Sequence, residues 1–308
     1  MSEYDGILRD GYPLCLGGNI FGWTIDEEQS FAVLDAYAAA GGNLLDTADV
    51  YSVWAEGNSG GESESIIGAW MASRGNRDQM IVATKVGNLT GVDAEQIRAG
   101  AEASLARLQT DRIDLFYTHK DDESVPLEET LGALDGLVRE GKVRELGASG
   151  YSAARLREAL AVSDREGLER YRVLQPHYNL LERDAYEGEL QDLCSSEGVA
   201  CLPFFSLARG FLTGKYRPGR EADTLRGGFA WSGEWDERTT GLLEELDAVA
   251  AEHDTTDAAV ALAWLRAQPT VAAPIASART VEQLQDLVPM AQLQLGADEL
   301  SRLSAAGA

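Results

Sequence analysis

Asn43-Leu44-Leu45-Asp46-Thr47-Ala48-Asp49-Val50-Tyr51 is the stretch on which the reading of this chain turns. Asn43 to Leu45 read as the end of a buried strand, Asp46 stands where that strand runs out, and Tyr51 follows in a loop. A carboxylate and a phenol placed this way can share one pocket mouth. A phenol, whose ordinary pKa is about 10, serves as a proton donor near neutrality only if its surroundings tune it. The stretch therefore asks the rest of the chain for a lysine, a second hydrogen-bond donor and a cofactor site.

Outward from it, one unit recurs. Before it, Pro13 to Gly18 reads as a short buried strand, and Asp26 caps a helix from about Glu27 to Ala40 that ends at Gly41-Gly42. After it come a helix over Ser63–Ser73, a strand over Met80–Val86 and a helix from Asp93 to Leu108. Strands then fall at Ile113–Tyr117, Val143–Ala148, Val173–Gln175, Val199–Phe205 and Val271–Ile275. Helices fall at Leu127–Glu140, Ala153–Val162, Ala185–Ser196, Leu242–His253, Asp257–Gln268 and Val281–Val288, with a short tail helix from Asp298 to Leu303. Between Tyr216 and Gly241 lies an irregular stretch rich in Gly and Arg, with Trp231 and Trp235; long loops of this kind in compact domains are usually functional or disordered. Eight near-continuous apolar strands alternating with helices point to a parallel sheet closed as a (β/α)8 TIM barrel. The expectation is one α/β domain over residues 1–308, with long mouth loops and accessory helices. The rival, an open doubly wound sheet, usually shows GxGxxG after its first strand, and Gly17-Gly18-Asn19 does not fit that pattern.

With 44% apolar residues the chain can bury a sizeable core. It carries 26 basic against 51 acidic residues, a formal net charge of −25, and only four lysines (Lys85, Lys120, Lys142, Lys215). Such a surface argues against nucleic acid or an anionic membrane as partner, and any anionic ligand needs a local basic cluster. Cys15, Cys194 and Cys201 show no CxxC pair and no metal-ligand spacing, so buried free thiols in a reducing compartment are expected. The N-terminus has no basic, apolar leader pattern, and no run approaches 18 apolar residues, so the expected location is the cytoplasm.

In a barrel the C-terminal strand ends share one face, where active sites sit. Asp46 ends the second strand, Lys85 the third, His119 follows the fourth, and Tyr51 lies after the second. Each has a plain alternative: a strand-end Asp caps turns, a lone Lys is commonly solvated, a His can be a surface residue and a Tyr can pack a loop. Topology brings all four to one mouth. There Lys85, held cationic by Asp46, would depress the phenol pKa of Tyr51, and His119 would hold a carbonyl oxygen beside it. The set suits carbonyl reduction if a hydride source lies adjacent.

With these residues in place the chain resembles the aldo-keto reductases over nearly its whole length. Gly17-Gly18-Asn19…Phe21-Gly22-Trp23 is similar to the family's first strand and loop, Asn43 to Tyr51 to its Asp…Tyr signature, and Gly61-Glu62-Ser63-Glu64 to its second-helix start. Lys85 and His119 fall at the family's Lys and His positions. The resemblance implies Tyr51 as acid/base, Lys85 and Asp46 as its tuners, His119 as the orienter of a small-molecule carbonyl, and NADP(H) as hydride source. It places Gly18, Asn19, Ser149 and Gln175 at the cofactor, the last two at the nicotinamide carboxamide, with the ring of Phe204 stacked on the nicotinamide. Leu207, Gly210, Leu212 and Lys215 lie in the segment similar to the one that wraps the pyrophosphate. Ile275, Ser277, Arg279 and Gln283 lie around the adenosine 2′-phosphate, where Arg279 would be the ligand.

This chain departs from the family's pattern where Gly150 replaces an Asn, Phe204 a Tyr, Leu287 an Asn and Ser277 a Gly. These bear on cofactor affinity and on NADP against NAD preference. Trp23, Trp54 and Trp231, with Trp235, fall in loops on the mouth side and suggest aromatic or aliphatic aldehydes and ketones over charged sugars. The resemblance also implies a monomer or weak oligomer. Two other readings stand beside the reductase: a cofactor-binding regulatory subunit of the same family with little turnover, and a Schiff-base lyase using Lys85.

Overall fold

The computed structural model describes residues 4–217 and 230–308. Eight strands form one all-parallel sheet: β1 Cys15–Gly17, β2 Leu44–Asp46, β3 Ile81–Val86, β4 Ile113–Thr118, β5 Val143–Ser149, β6 Tyr171–Gln175, β7 Ala200–Cys201 and β8 Ile275–Ala276. Each pairs with its sequence neighbours, and β8 pairs with β1. The ring closes between β7 and the run into β8, where Cys201 N donates to Thr270 O at 2.8 Å, Ala272 N to Cys201 O at 2.9 Å and Ile275 N to Pro203 O at 3.0 Å. This is the expected (β/α)8 barrel.

The helices are α1 Glu27–Ala39, α2 Glu62–Arg74, α3 Ala94–Leu108, α4 Leu127–Arg139, α5 Ala153–Glu166, α6 Glu189–Glu197, α7 Glu237–Glu252, α8 Asp257–Arg266, α9 Val281–Leu287 and α10 Ala297–Ala306. Their starts follow side-chain chemistry. Asp26 closes a capping box with Gln29, and Asp93, Ser152, Thr256 and Thr280 each accept from a backbone N–H of the first turn.

Several boundaries differ from the sequence reading, and four of them have a clear local cause. The seventh strand is regular only over Ala200–Cys201, because Pro203 offers no N–H and Phe205 turns to φ +53°. The eighth is regular only over Ile275–Ala276; Val271 makes an isolated bridge to Cys201, and Pro274 interrupts the ladder between them. The sixth helix starts at Glu189, since Gly188 lies at φ +90°, ψ −126°. The seventh starts at Glu237, five residues before Leu242, because Asp236 and Thr239 form a capping box that polar residues hid from an apolar count. Residues 218–229 of the irregular stretch lie outside the described residues.

Strand alternation layers the barrel interior. Leu44, Ala83, Leu115 and Val173 belong to its apolar cluster. Two residues further along the same strands stand Asp46, Lys85, Tyr117 and Gln175, so period two makes a polar layer at the C-terminal ends. At the other end Tyr4, Ile7 and Leu8 pack against the interior cluster as a plug. Among the described residues no helix is long and apolar enough to cross a membrane.

Candidate active site

Gly17 and Asp46 are register partners across β1 and β2, as are Asp46 and Ala83 across β2 and β3. Asp46 and Lys85 therefore project from adjacent strands into the same space. Lys85 is fully buried, and its ammonium donates to Asp46 Oδ2 at 2.8 Å, to Thr47 O at 2.7 Å and to Tyr51 Oη at 2.8 Å. Tyr51 donates its own proton to Asp46 Oδ2 at 3.1 Å, and Gln175 Nε2 donates to the other oxygen, Oδ1, at 2.8 Å. A buried ion pair is tolerable only when its remaining polar atoms are satisfied, and these partners satisfy them.

The loop between Asp46 and Tyr51 is pinned from behind by the start of α2. Ser63 Oγ donates to Gly18 O at 2.8 Å and accepts from Thr47 Oγ1 at 2.8 Å. Glu62 accepts from the backbone N–H groups of Ser59 and Gly60 at 2.8 and 3.0 Å. Glu64, fully buried, accepts from Thr84 Oγ1 and from Arg107. The Gly61-Glu62-Ser63-Glu64 motif thus holds the loop that runs from Asp46 to Tyr51 and on to Gly60.

Burial, then the Asp46 carboxylate, push the Tyr51 phenol well above its ordinary value. This corrects the expectation that Lys85 depresses it. In the site as it stands the hydroxyl keeps its proton across the whole neutral range, and the ammonium touching Oη is placed to compensate a phenolate once the proton has left. His119 is lowered from the ordinary histidine value to about 3, by burial first and then by Lys85 and Lys120. Its ring, 6.0 Å from that of Tyr51 and edge-on, is a neutral imidazole near pH 7. Nδ1 is buried with no hydrogen-bond partner among the described residues, and the residue lines the cavity described next.

One cavity of about 620 Å³ joins this cluster to the far side of the barrel mouth. Asp46, Tyr51, Trp54 and His119 line one part; Asn19, Phe204, Leu207, Gly210, Lys215, Ile275, Ser277, Arg279 and Gln283 line another. Two glycines line it where side chains of the wall itself pack close. A Cβ on Gly17 would stand 2.6 Å from Ser277 Oγ, and Gly210, at φ +93°, would place one 3.0 Å from the Lys215 ammonium. Ser277 Oγ donates to Asn19 Oδ1 at 2.7 Å, so the residue that replaces the family's glycine joins the first and last strand ends. Among the described residues three cations line the cavity, Arg209, Lys215 and Arg279, against two acids, Asp46 and Asp286, and Asp46 is already paired with Lys85. In a chain of net charge −25 this is a local basic cluster fit for phosphate groups.

Other singled-out residues sit beneath or beside the cavity. Gly18 lies behind it, its carbonyl tied to Ser63. Ser149 and Gln175 are register partners in the buried layer, and Ser149 Oγ donates to Gln175 O at 3.1 Å. Leu212, expected at the pyrophosphate, is instead fully buried in the apolar cluster, because the segment turns through left-handed Arg209 and Gly210 just before it. Trp54 lines the mouth, and Trp23 packs edge-on against it with centroids 5.4 Å apart. Trp231, expected at the substrate, instead stacks on Phe211 at 4.5 Å and on Trp235 at 5.1 Å. The sequence reading missed Asn88 at the mouth, and Arg209, Thr256 and Asp286 along the cofactor side. Asn88 follows Lys85 by three positions and Arg209 precedes Gly210, so proximity to chosen residues was their only signal.

The Aldo/keto reductase family model matches residues 13–308. The chain belongs to this family. Across 94% of its length it is 34% identical to the norsolorinic acid reductase stcV of Emericella nidulans, covering 76% of that protein. It is 33% identical to the uncharacterized oxidoreductase YrpG of Bacillus subtilis, over 98% of this chain and 95% of the relative. An aryl-alcohol dehydrogenase of Pestalotiopsis microspora, GME11368, is 31% identical over 94% of this chain and 77% of the relative. Membership and these relatives make the aldo/keto reductase an oxidoreductase of the carbonyl-reducing kind.

Proposed function

We propose that the enzyme reduces aldehydes and ketones to alcohols with NADPH, Tyr51 giving the proton. The observation that carries this is the single ammonium of Lys85 in hydrogen-bond contact with both Tyr51 Oη and Asp46 Oδ2, at 2.8 Å each, under a cavity that also reaches Arg279. NADPH, when bound, supplies the hydride. Arg279 and Lys215 would hold its phosphates, Phe204 would cover the nicotinamide, and Ser149 with Gln175 would face the carboxamide. The neutral His119 holds the carbonyl oxygen within reach of Tyr51. As the oxygen gains charge, the phenol O–H transfers its proton to it, and the Lys85 ammonium, fixed by Asp46, offsets the phenolate left behind.

Trp54 and the Trp23 behind it make an apolar, flat-sided mouth suited to aromatic carbonyls, and one relative bears the name aryl-alcohol dehydrogenase. We place the protein in the cytoplasm as a monomer or weak oligomer. A Schiff-base role is disfavoured because all three Lys85 protons are engaged and the side chain has no exposure. The test is NADPH consumption with a panel of aryl and alkyl aldehydes and ketones. Turnover that persists unchanged in Tyr51→Phe removes Tyr51 as the donor; no turnover with any carbonyl in the unmodified protein removes the reductase reading in favour of the cofactor-binding subunit.

A further inference from the structure

Gln175 is 2% exposed and belongs to the same inward layer as Asp46, Lys85 and Tyr117. Its side-chain amide spans the barrel to donate from Nε2 to Asp46 Oδ1 at 2.8 Å, a link between residues 129 positions apart. The two carboxylate oxygens are thereby divided. Oδ2 serves Lys85 and Tyr51, while Oδ1 serves Gln175 alone among the contacts of the described residues. An ionised carboxylate only accepts, so the amide has no choice of orientation: the NH2 end faces Asp46 and Oε1 faces away. The Tyr117 hydroxyl, buried in the same layer, is a near neighbour of this amide.

We propose that Gln175 is a positioning residue that acts through Asp46. Its N–H fixes the carboxylate plane so that Oδ2 meets both the ammonium and the phenol, and it withdraws part of the negative charge that the phenolate would otherwise feel. This deepens the reductase reading above and rests on it.

The test is a double-substitution cycle between Gln175→Met, which keeps length and loses both polar atoms, and Asp46→Asn, read on kcat, on the carbonyl KM and on the solvent deuterium isotope effect. In the native background Gln175→Met should lower kcat by about tenfold with the carbonyl KM unchanged and should raise the isotope effect, because proton delivery becomes slower. In the Asp46→Asn background the same change should cost about twofold or less. Equal fold-losses in both backgrounds, or an unmoved isotope effect, overturn the proposal. In parallel, urea unfolding of the same four proteins reads the link without turnover: Gln175→Met should shift the folding constant several-fold less in the Asp46→Asn background than in the native one, and equal shifts overturn the link. If Gln175→Met does not fold by circular dichroism, Gln175→Asn, one methylene too short to reach Asp46, takes its place. Absence of turnover in the unmodified protein would count against the reductase reading, whereas the unfolding cycle still judges the link from Gln175 to Asp46.

Discussion

The two ends of the barrel each hold a tyrosine hydrogen-bonded to a carboxylate. At the N-terminal end Tyr4 donates to Glu145 Oε2 at 2.6 Å, and Ile7 N donates to Oε1 at 2.9 Å. At the C-terminal end Tyr51 donates to Asp46 Oδ2 at 3.1 Å. Burial leads the causes that raise both phenols above the ordinary range, and the partner carboxylate adds to each. What differs is the cation. Arg172 lies over the Tyr4 ring with its Cζ 5.6 Å from the centroid and pairs with Asp5, and among the described residues no cation is hydrogen-bonded to the Tyr4–Glu145 pair. Lys85 touches both Tyr51 and Asp46. A phenol beside a carboxylate alone is a lock that fastens the plug. The same pair with an ammonium at bonding distance can release its proton, because the charge left on the phenol has a partner.

The largest effect expected from breaking this comparison is at the active end. Tyr51→Phe should lower kcat by roughly 10²- to 10⁴-fold while the thermal midpoint stays close to native, measured by NADPH turnover and calorimetry. Lys85→Met turns the upper pair into a copy of the lower one. It should abolish measurable turnover and also destabilise by about 3–5 kcal/mol, since Asp46 is left buried without its ion-pair partner; a variant with native stability in urea would show that the pair is not held as described. Arg279→Ala leaves both pairs intact and should reduce the preference for NADPH over NADH by about ten- to a hundredfold, with NADH turnover little changed. Tyr4→Phe should cost about 1–3 kcal/mol in urea unfolding and leave kcat per folded molecule unchanged; a loss of kcat without a loss of stability would erase the distinction between the two ends.

The smallest effect concerns Asp49, a carboxylate in the catalytic loop whose Oδ1 has neither phenol nor cation bonded to it among the described residues. Burial and then Glu64 raise it to about 6, from an ordinary carboxylate value near 4. The folded state therefore holds this proton more tightly than the unfolded chain. Its ionised form costs stability above pH 6, and that cost fades as pH falls toward 4. Asp49→Asn should raise stability at pH 8 by on the order of 1–2 kcal/mol, with the two stability curves converging below about pH 4. Curves that stay parallel would show that Asp49 is ionised without penalty.

Much of the fold is legible in the sequence because parallel barrel strands are buried on both faces and read as apolar runs, as at Ile81–Val86 and Ile113–Thr118. The reading loses its hold where prolines cut the ladder at Pro203 and Pro274, and where α7 begins on Asp236 and Thr239 with no apolar mark. The meeting of four polar residues at the mouth was legible for a topological reason: strand ends in a barrel converge, so Asp46, Lys85 and His119 needed only their strands to be found, and Tyr51 the loop after Asp46. Leu212 packs in the apolar cluster and Trp231 on Phe211 and Trp235, a packing hidden from the sequence because an apolar side chain beside a loop looks the same whether it faces a cavity or the core. Arg209, Thr256 and Asp286 were missed because the cavity they share joins distant segments.

The sequence by itself determined the order of strands and helices, the strand-end positions of Asp46 and Lys85, and the identity of the groups able to do the chemistry. The tertiary structure alone decided the protonation of those groups, since the elevation of Tyr51 and the depression of His119 depend on how deeply each lies and on which charges face it. It also decided the link from Gln175 to Asp46, because a hydrogen bond across the barrel is set by closure of the ring and leaves no trace in local sequence. Strand and helix patterns arise from neighbours along the chain, whereas proton affinity arises from neighbours in space.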